Sequence, residues 1–167
     1  MSEYIKEYEF ENAPKEIAYS DGEPLKLTNK FRFYHNKSSF RKDLNSHQYL
    51  FKSYLKQVLM AVGIRDSYLK PHYFDNFYIV IFTEPDKIDN ATAIVEDLNP
   101  DELDEGCYRM KATSEYLLLI AKKKDALRDG LKKFEQLLKQ TLEDYLNQKE
   151  FDEFIKIRNF IMFNCIS

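Results

Sequence analysis

The fold is decided by Tyr108 to Leu138, YRMKATSEYLLLIAKKKDALRDGLKKFEQLL. Tyr108 and Met110 share one face of an alternating run. After a turn near Thr113-Ser114, Tyr116, Leu118 and Ile120 share a face while Leu117 and Leu119 fill the other. Period-two patterning of this kind predicts a hairpin, and apolar residues on both faces of its second strand predict a strand covered on both sides. A helical period then takes over from about 124 to 147, with Leu127, Leu131, Phe134, Leu138, Leu142 and Tyr145 on one stripe and Asp125 at the positive end of the helix dipole. Gly130 sits beside that stripe, where an interior glycine costs roughly 1 kcal/mol against alanine. A missing side chain lets a helix backbone approach a strand more closely, and such contact offsets the propensity cost. The sequence therefore predicts a helix lying flush on the hairpin at Gly130.

Upstream elements extend this frame. Tyr4, Lys6, Tyr8 and Phe10 alternate with Ile5, Glu7 and Glu9, a strand or extended edge segment interrupted by Pro14. Asp21-Gly22 supplies turn chemistry before Leu25, Leu27, Phe31 and Phe33, which alternate with polar residues. Phe40, Leu44, His47, Phe51, Tyr54, Val58 and Val62 recur at helical spacing, predicting a helix over 39–62 capped by Ser38 or Ser39 and ended by Gly63. The run NFYIVIFTE before Pro85 reads as a central strand, and the acidic stretch up to Gly106 as a connection. The order β-α-β-β-α predicts an α+β fold, a small sheet with two long helices packed on it.

With 167 residues the chain has the size of one domain. Its 25 basic against 28 acidic side chains give a net charge of −3, too little field to steer a polyanion, so nucleic acid is not an expected partner. No window approaches a membrane span, and charges interrupt the opening residues where a signal peptide has its apolar core. Cys107 and Cys165 have neither CxxC spacing nor a framework count, which predicts buried free thiols and a cytoplasmic protein.

Further along, the residues resemble a known module. DEGCYRMKATSEYLLLIAKKKDALRDGLKKFEQLLKQ is similar to the end of the accessory α/β domain that precedes the catalytic barrel in β-N-acetylhexosaminidases of glycoside hydrolase family 20. There a Y-R-L strand, a second strand ending near I-x-A, and a helix with G-L-x-x-x-x-Q-L-L follow one another. The matching positions here are Tyr108, Arg109, Met110, Ile120, Ala121, Gly130, Leu131, Gln136, Leu137 and Leu138. Pro14-Lys15 retains part of that domain's opening phrase, and related domains precede the barrels of family 84 and of α-glucuronidases. The tail FIKIRNFIMFNCIS resembles the family's first barrel strand, Y-R-G-x-M-L-D, whose arginine holds the sugar; its counterpart is Arg158, with Asn159 in place of the glycine and Phe163 in place of the aspartate.

The resemblance implies an accessory domain over 1–150, followed over 151–167 by a linker and the first strand of a barrel. It implies a non-catalytic role supporting that barrel, with Gly130, Tyr108, Leu131 and Leu138 as structural residues and Arg158 as a substrate-binding residue. A (β/α)₈ barrel needs about 250 residues, and the family's H-x-G-G-D-E phrase, whose aspartate orients the substrate's acetamido nucleophile and whose glutamate is general acid, does not occur in these residues. No catalytic residue is assigned, and no cofactor or metal is expected. Asp97, Asp101, Glu102, Asp104 and Glu105 lack calcium-loop spacing and read as a solvated loop. His35, His47 and His72 are too scattered for zinc. Lys122, Lys123, Lys124, Lys132, Lys133 and Lys139 read as a solvated helix face. The aromatic residues, 12 Tyr and 13 Phe, fit core packing, or else the surface of a free-standing protein-interaction module, which is the alternative to a barrel-supporting domain.

Overall fold

The computed structural model describes residues 7–27, 46, 49, 50, 52, 53, 56, 57, 60, 81, 82, 102–148 and 155–166. The hairpin consists of β4 (Cys107–Ala112) and β5 (Leu117–Ala121), antiparallel with Tyr108 opposite Ala121 and Met110 opposite Leu119. Thr113 makes the turn: its N–H donates to the Tyr116 carbonyl at 2.8 Å, and its hydroxyl accepts from Glu115 N–H and Tyr116 N–H. All five residues of β5 are buried.

The long helix, α1, runs from Lys124 to Gln148 and lays its apolar stripe on the sheet. Leu127, Leu131, Phe134, Leu138, Leu142 and Tyr145 are all buried, together with Ala126 and Leu137. A Cβ added at Gly130 would stand 2.7 Å from Leu119 Cδ1 and 3.2 Å from Tyr108 Cδ2, so the helix backbone rests on β4 and β5 with no room for a methyl group. This contact is what the glycine contributes in return for its poor helix propensity.

Among the described residues five more strands accompany the hairpin: β1 (Glu16–Tyr19), β3 (Ile81–Phe82), β7 (Phe160–Cys165) and, in a second sheet, β2 (Leu25–Leu27) with its partner β6 (Ile155–Ile157). Among the described residues the larger sheet has the order β1-β7-β4-β5-β3, antiparallel except for the parallel pair β3 and β5; β2 and β6 form a separate antiparallel pair. The fold class is α+β, a helix packed on a small, mainly antiparallel sheet.

Several expectations are revised by this arrangement. Ile81 and Phe82, expected in a central strand, end the described strand order instead. Residues 155–165, expected as linker and opening barrel strand, are paired inside these sheets, with β7 lying between β1 and β4. Of the alternating run near the start, residues 7–10 pair with no described strand and lead into a strap over 7–15 that bends at residues 11, 12 and 15; Tyr4, Ile5 and Lys6 lie outside the described residues. In the predicted helix over 39–62, the described positions 46, 49, 50, 52, 53, 56, 57 and 60 are helical; Phe31, Phe33, Gly63 and the three histidines lie outside the described residues.

The cysteines also differ from expectation. Cys107 and Cys165 are register partners across β4 and β7 and form a disulfide, so they are not free thiols. A separation of 58 residues conveyed nothing about adjacency; strand pairing created it. The disulfide removes the cysteine argument for a reducing compartment. Among the described residues, no helix is long and apolar enough to cross a membrane.

Candidate functional site

Two connections between the sheets meet at one corner. The chain leaves β1 for β2 through residues 20–24 and leaves β6 for β7 through Arg158-Asn159, so both links bridge the same gap. Asn159 joins them. Its carbonyl accepts Ser20 N–H at 3.1 Å, and its Nδ2 donates to the Glu23 carbonyl at 2.9 Å. A Cβ at Gly22 would stand 2.8 Å from Asn159 Nδ2, so the glycine of the expected turn lets the Asn159 amide approach the backbone closely. Asn159 therefore has its own structural use where the family pattern has glycine.

Three rings line the corner. Tyr8, Tyr19 and Phe160 have centroid separations of 6.2, 6.3 and 6.4 Å, with both tyrosines tilted edgewise toward Phe160. Tyr8 N–H donates to Tyr19 Oη at 2.8 Å, and Arg158 N–H donates to Tyr8 Oη at 3.1 Å. The Arg158 guanidinium lies 4.9 Å from the Tyr19 ring centroid, and its Nη2 reaches Asp21 Oδ1 at 3.4 Å. Because Asp21 is 78% exposed, that ion pair is weak. Burial pushes the Tyr8 phenol up to about 12, against the opposing hydrogen bond from the Arg158 N–H. Burial raises Tyr19 as well.

Among the described residues, two buried atoms in this corner, Arg158 Nε and Asn159 Oδ1, meet no hydrogen-bond partner. They are a donor and an acceptor on consecutive residues, and Asn159 is only 9% exposed. A hydroxyl, which both accepts and donates, has the chemistry to pair with either.

The other expected residues gather under α1. Tyr108, Leu131 and Leu138 are buried, and Gly130 rests on Tyr108. Tyr108 Oη donates to Asp129 Oδ2 at 2.6 Å; Asn164 Nδ2 donates to both Tyr108 Oη and Asp129 Oδ2; and Lys133 Nζ stands 3.7 Å from the same carboxylate. Burial first, then the bond to Asp129, pushes the Tyr108 phenol up. Lys133 belongs to this cluster and is buried, a correction to the solvated lysine face, whereas Lys123 meets Glu105 at the surface.

Arg158 is not part of that cluster; its contacts run to Tyr8, Tyr19 and Asp21. Phe163, where the family's aspartate would fall, lies partly buried with the Arg109 guanidinium 5.5 Å from its ring centroid. Tyr8 and Tyr19 were not singled out as site residues from the sequence. Among the described residues, no group of three or more His, Cys, Asp or Glu is placed to hold a metal ion.

No family model matches the chain, and no curated protein matches it. Among solved structures, the X-ray structure of the Flavobacterium johnsoniae chitobiase FjGH20 is similar to it, with a TM-score of 0.46 and 13% identity over 91% of this chain. The chain spans 20% of the length of that enzyme.

Proposed function

We propose that the chain is a non-catalytic α+β module of a β-N-acetylhexosaminidase-like glycoside hydrolase, supporting a catalytic barrel that these 167 residues do not contain. The observation that carries this reading is local: the phrase resembling the family's hairpin and helix folds as a hairpin and helix, with Gly130 against Tyr108 and Leu119. The surface offered to a barrel is the outer face of β7 and β1, where Ile161 is half exposed.

In this reading Arg158 is the sugar-binding residue. Its unpartnered Nε, together with Asn159 Oδ1, supplies the donor and acceptor that a sugar hydroxyl needs. Calorimetric titration with an N-acetylglucosamine oligosaccharide tests this reading. Binding that is lost in Arg158→Met supports it, and no binding to the native chain removes Arg158 from the site. Turnover of an aryl N-acetylglucosaminide by this chain alone would contradict the non-catalytic role.

The alternative is a free-standing protein-interaction module, with which the interior position of β7 in the sheet is equally compatible. That reading predicts no saccharide response at Arg158, so the same titration separates the two.

A further inference from the structure

The strap over 7–15 crosses α1 with its main chain held by side-chain amides. Gln140 Oε1 accepts Glu9 N–H at 2.8 Å, and Gln140 Nε2 donates to the Glu9 carbonyl. Gln136 Oε1 accepts Glu11 N–H at 3.0 Å, and Asn164 Oδ1 accepts Lys15 N–H at 3.1 Å. The glutamines are one helical turn apart, about 6 Å along the axis. Residues 9 and 11 are two steps apart in extended chain, about 6.6 Å. The periods match, so two amides on one helix face stand in for a neighbouring strand. Gln140 is itself steadied by donating from Nε2 to the Gln136 carbonyl at 3.1 Å.

What the strap delivers is Tyr8. Its phenol is buried in the core cluster, takes the Arg158 N–H, and its own N–H engages Tyr19, the ring that carries the Arg158 guanidinium. The bonds from both glutamines to the strap are solvent-exposed, unlike the buried ladder between β4 and β5. Segments held by exposed hydrogen bonds open at lower free energy than core strands.

We propose that Gln136 and Gln140 are positioning residues for Arg158: they hold a strap that seats Tyr8, and release of this strap, ahead of global unfolding, frees the Arg158 main chain and uncovers Tyr19. The consequence for sugar binding rests on the Arg158 reading above; the mechanics of the strap do not. The charged and titratable groups facing the Tyr8 phenol are Tyr19 on β1, Arg158 between β6 and β7, and Asp144 on α1, with the Thr141 hydroxyl beside them.

The test uses the full chain and the double variant Gln136→Ala, Gln140→Ala, which places strong helix formers at both helical positions. In the native chain the Glu9 and Glu11 amides should exchange faster than those of β4 and β5, and in the variant about tenfold faster again with β4 and β5 unchanged. The Tyr8 phenol should titrate near 12 in the native chain and move toward the ordinary value of about 10 in the variant. Gln140→Glu keeps an acceptor for Glu9 N–H but loses the donor, and should fall between the two. Strap amides protected as strongly as β4 in both proteins, or an unmoved Tyr8 titration, would overturn the proposal. An N-acetylglucosamine oligosaccharide that binds neither protein counts against the Arg158 reading alone, since exchange and titration still decide the strap; equal binding to both refutes the positioning role.

Discussion

The underside of α1 and the Arg158 corner are each built around a glycine that a neighbouring side chain approaches closely, yet they differ in what is left over. At Gly130 the neighbours are Leu119 and Tyr108, and the polar atoms nearby, from Tyr108, Asp129, Asn164 and Lys133, all find partners. At Gly22 the neighbour is a polar amide, and the same short link leaves Arg158 Nε and Asn159 Oδ1 buried without partners among the described residues. A buried polar atom left unpaired costs roughly 1–3 kcal/mol. Where such atoms persist, water or a ligand is the usual supplier of the missing bond. One region is spent on stability, and in the reading proposed above the other is the place for a ligand.

The largest test of that contrast concerns the end of the stable region. The Cys107–Cys165 bridge closes 58 residues, so reduction, or Cys107→Ser with Cys165→Ser, should cost roughly 4 kcal/mol in chemical denaturation by chain-entropy arithmetic. An unchanged midpoint after reduction would mean that β4 and β7 hold without it.

Next comes Gly130→Val, which forces side-chain atoms into Leu119 and should cost about 3 kcal/mol. Gly130→Ala is the more discriminating change. Helix propensity alone predicts a gain of about 1 kcal/mol, whereas contact at 2.7 Å with a buried leucine predicts a net loss. Thermal unfolding reports the sign.

Alkali probes both regions at once. Burial raises the Tyr8 phenol to about 12, while the unfolded chain titrates near 10. A raised folded value means that this contribution is complete below pH 10 and is lost as pH rises through 12. The loss is on the order of 2–3 kcal/mol. Tyr108 is pushed the same way, so Tyr8→Phe should remove only part of the alkaline loss when denaturation midpoints are compared at pH 8 and above 10.

The smallest effect on stability should be that of Arg158→Met. Its ion pair is exposed and its Nε is unpartnered, so the change should stay within about 1 kcal/mol. A larger loss would make the corner a structural element like the underside of α1 and erase the difference between them.

Sequence periodicity exposed the hairpin and α1, because a period of two and a period of 3.6 place apolar residues on different sets of positions. The choice of glycine at 130 was legible for the same reason: it sits beside a stripe that must face something. The disulfide was not legible, since no local spacing reports which strands will become neighbours. Near the start, alternating aromatics leave a strand and an extended edge segment both open, because the pattern serves either. β7 resembled the start of a new domain, and only pairing with β1 and β4 assigns it to this sheet. The unsatisfied atoms of the Arg158 corner arise from two links meeting 136 residues apart in sequence, a juxtaposition that belongs to the tertiary structure.

The most direct measurement is a nuclear magnetic resonance titration of the labelled chain with an N-acetylglucosamine oligosaccharide, following the Arg158 Nε–H, the Asn159 side-chain amide and the Gly130 backbone amide together. Saturable shifts at Arg158 and Asn159 with Gly130 unmoved are the predicted result. Shifts confined to the Gly130 side, or none anywhere at saturating sugar, would contradict the assignment of binding chemistry to this corner.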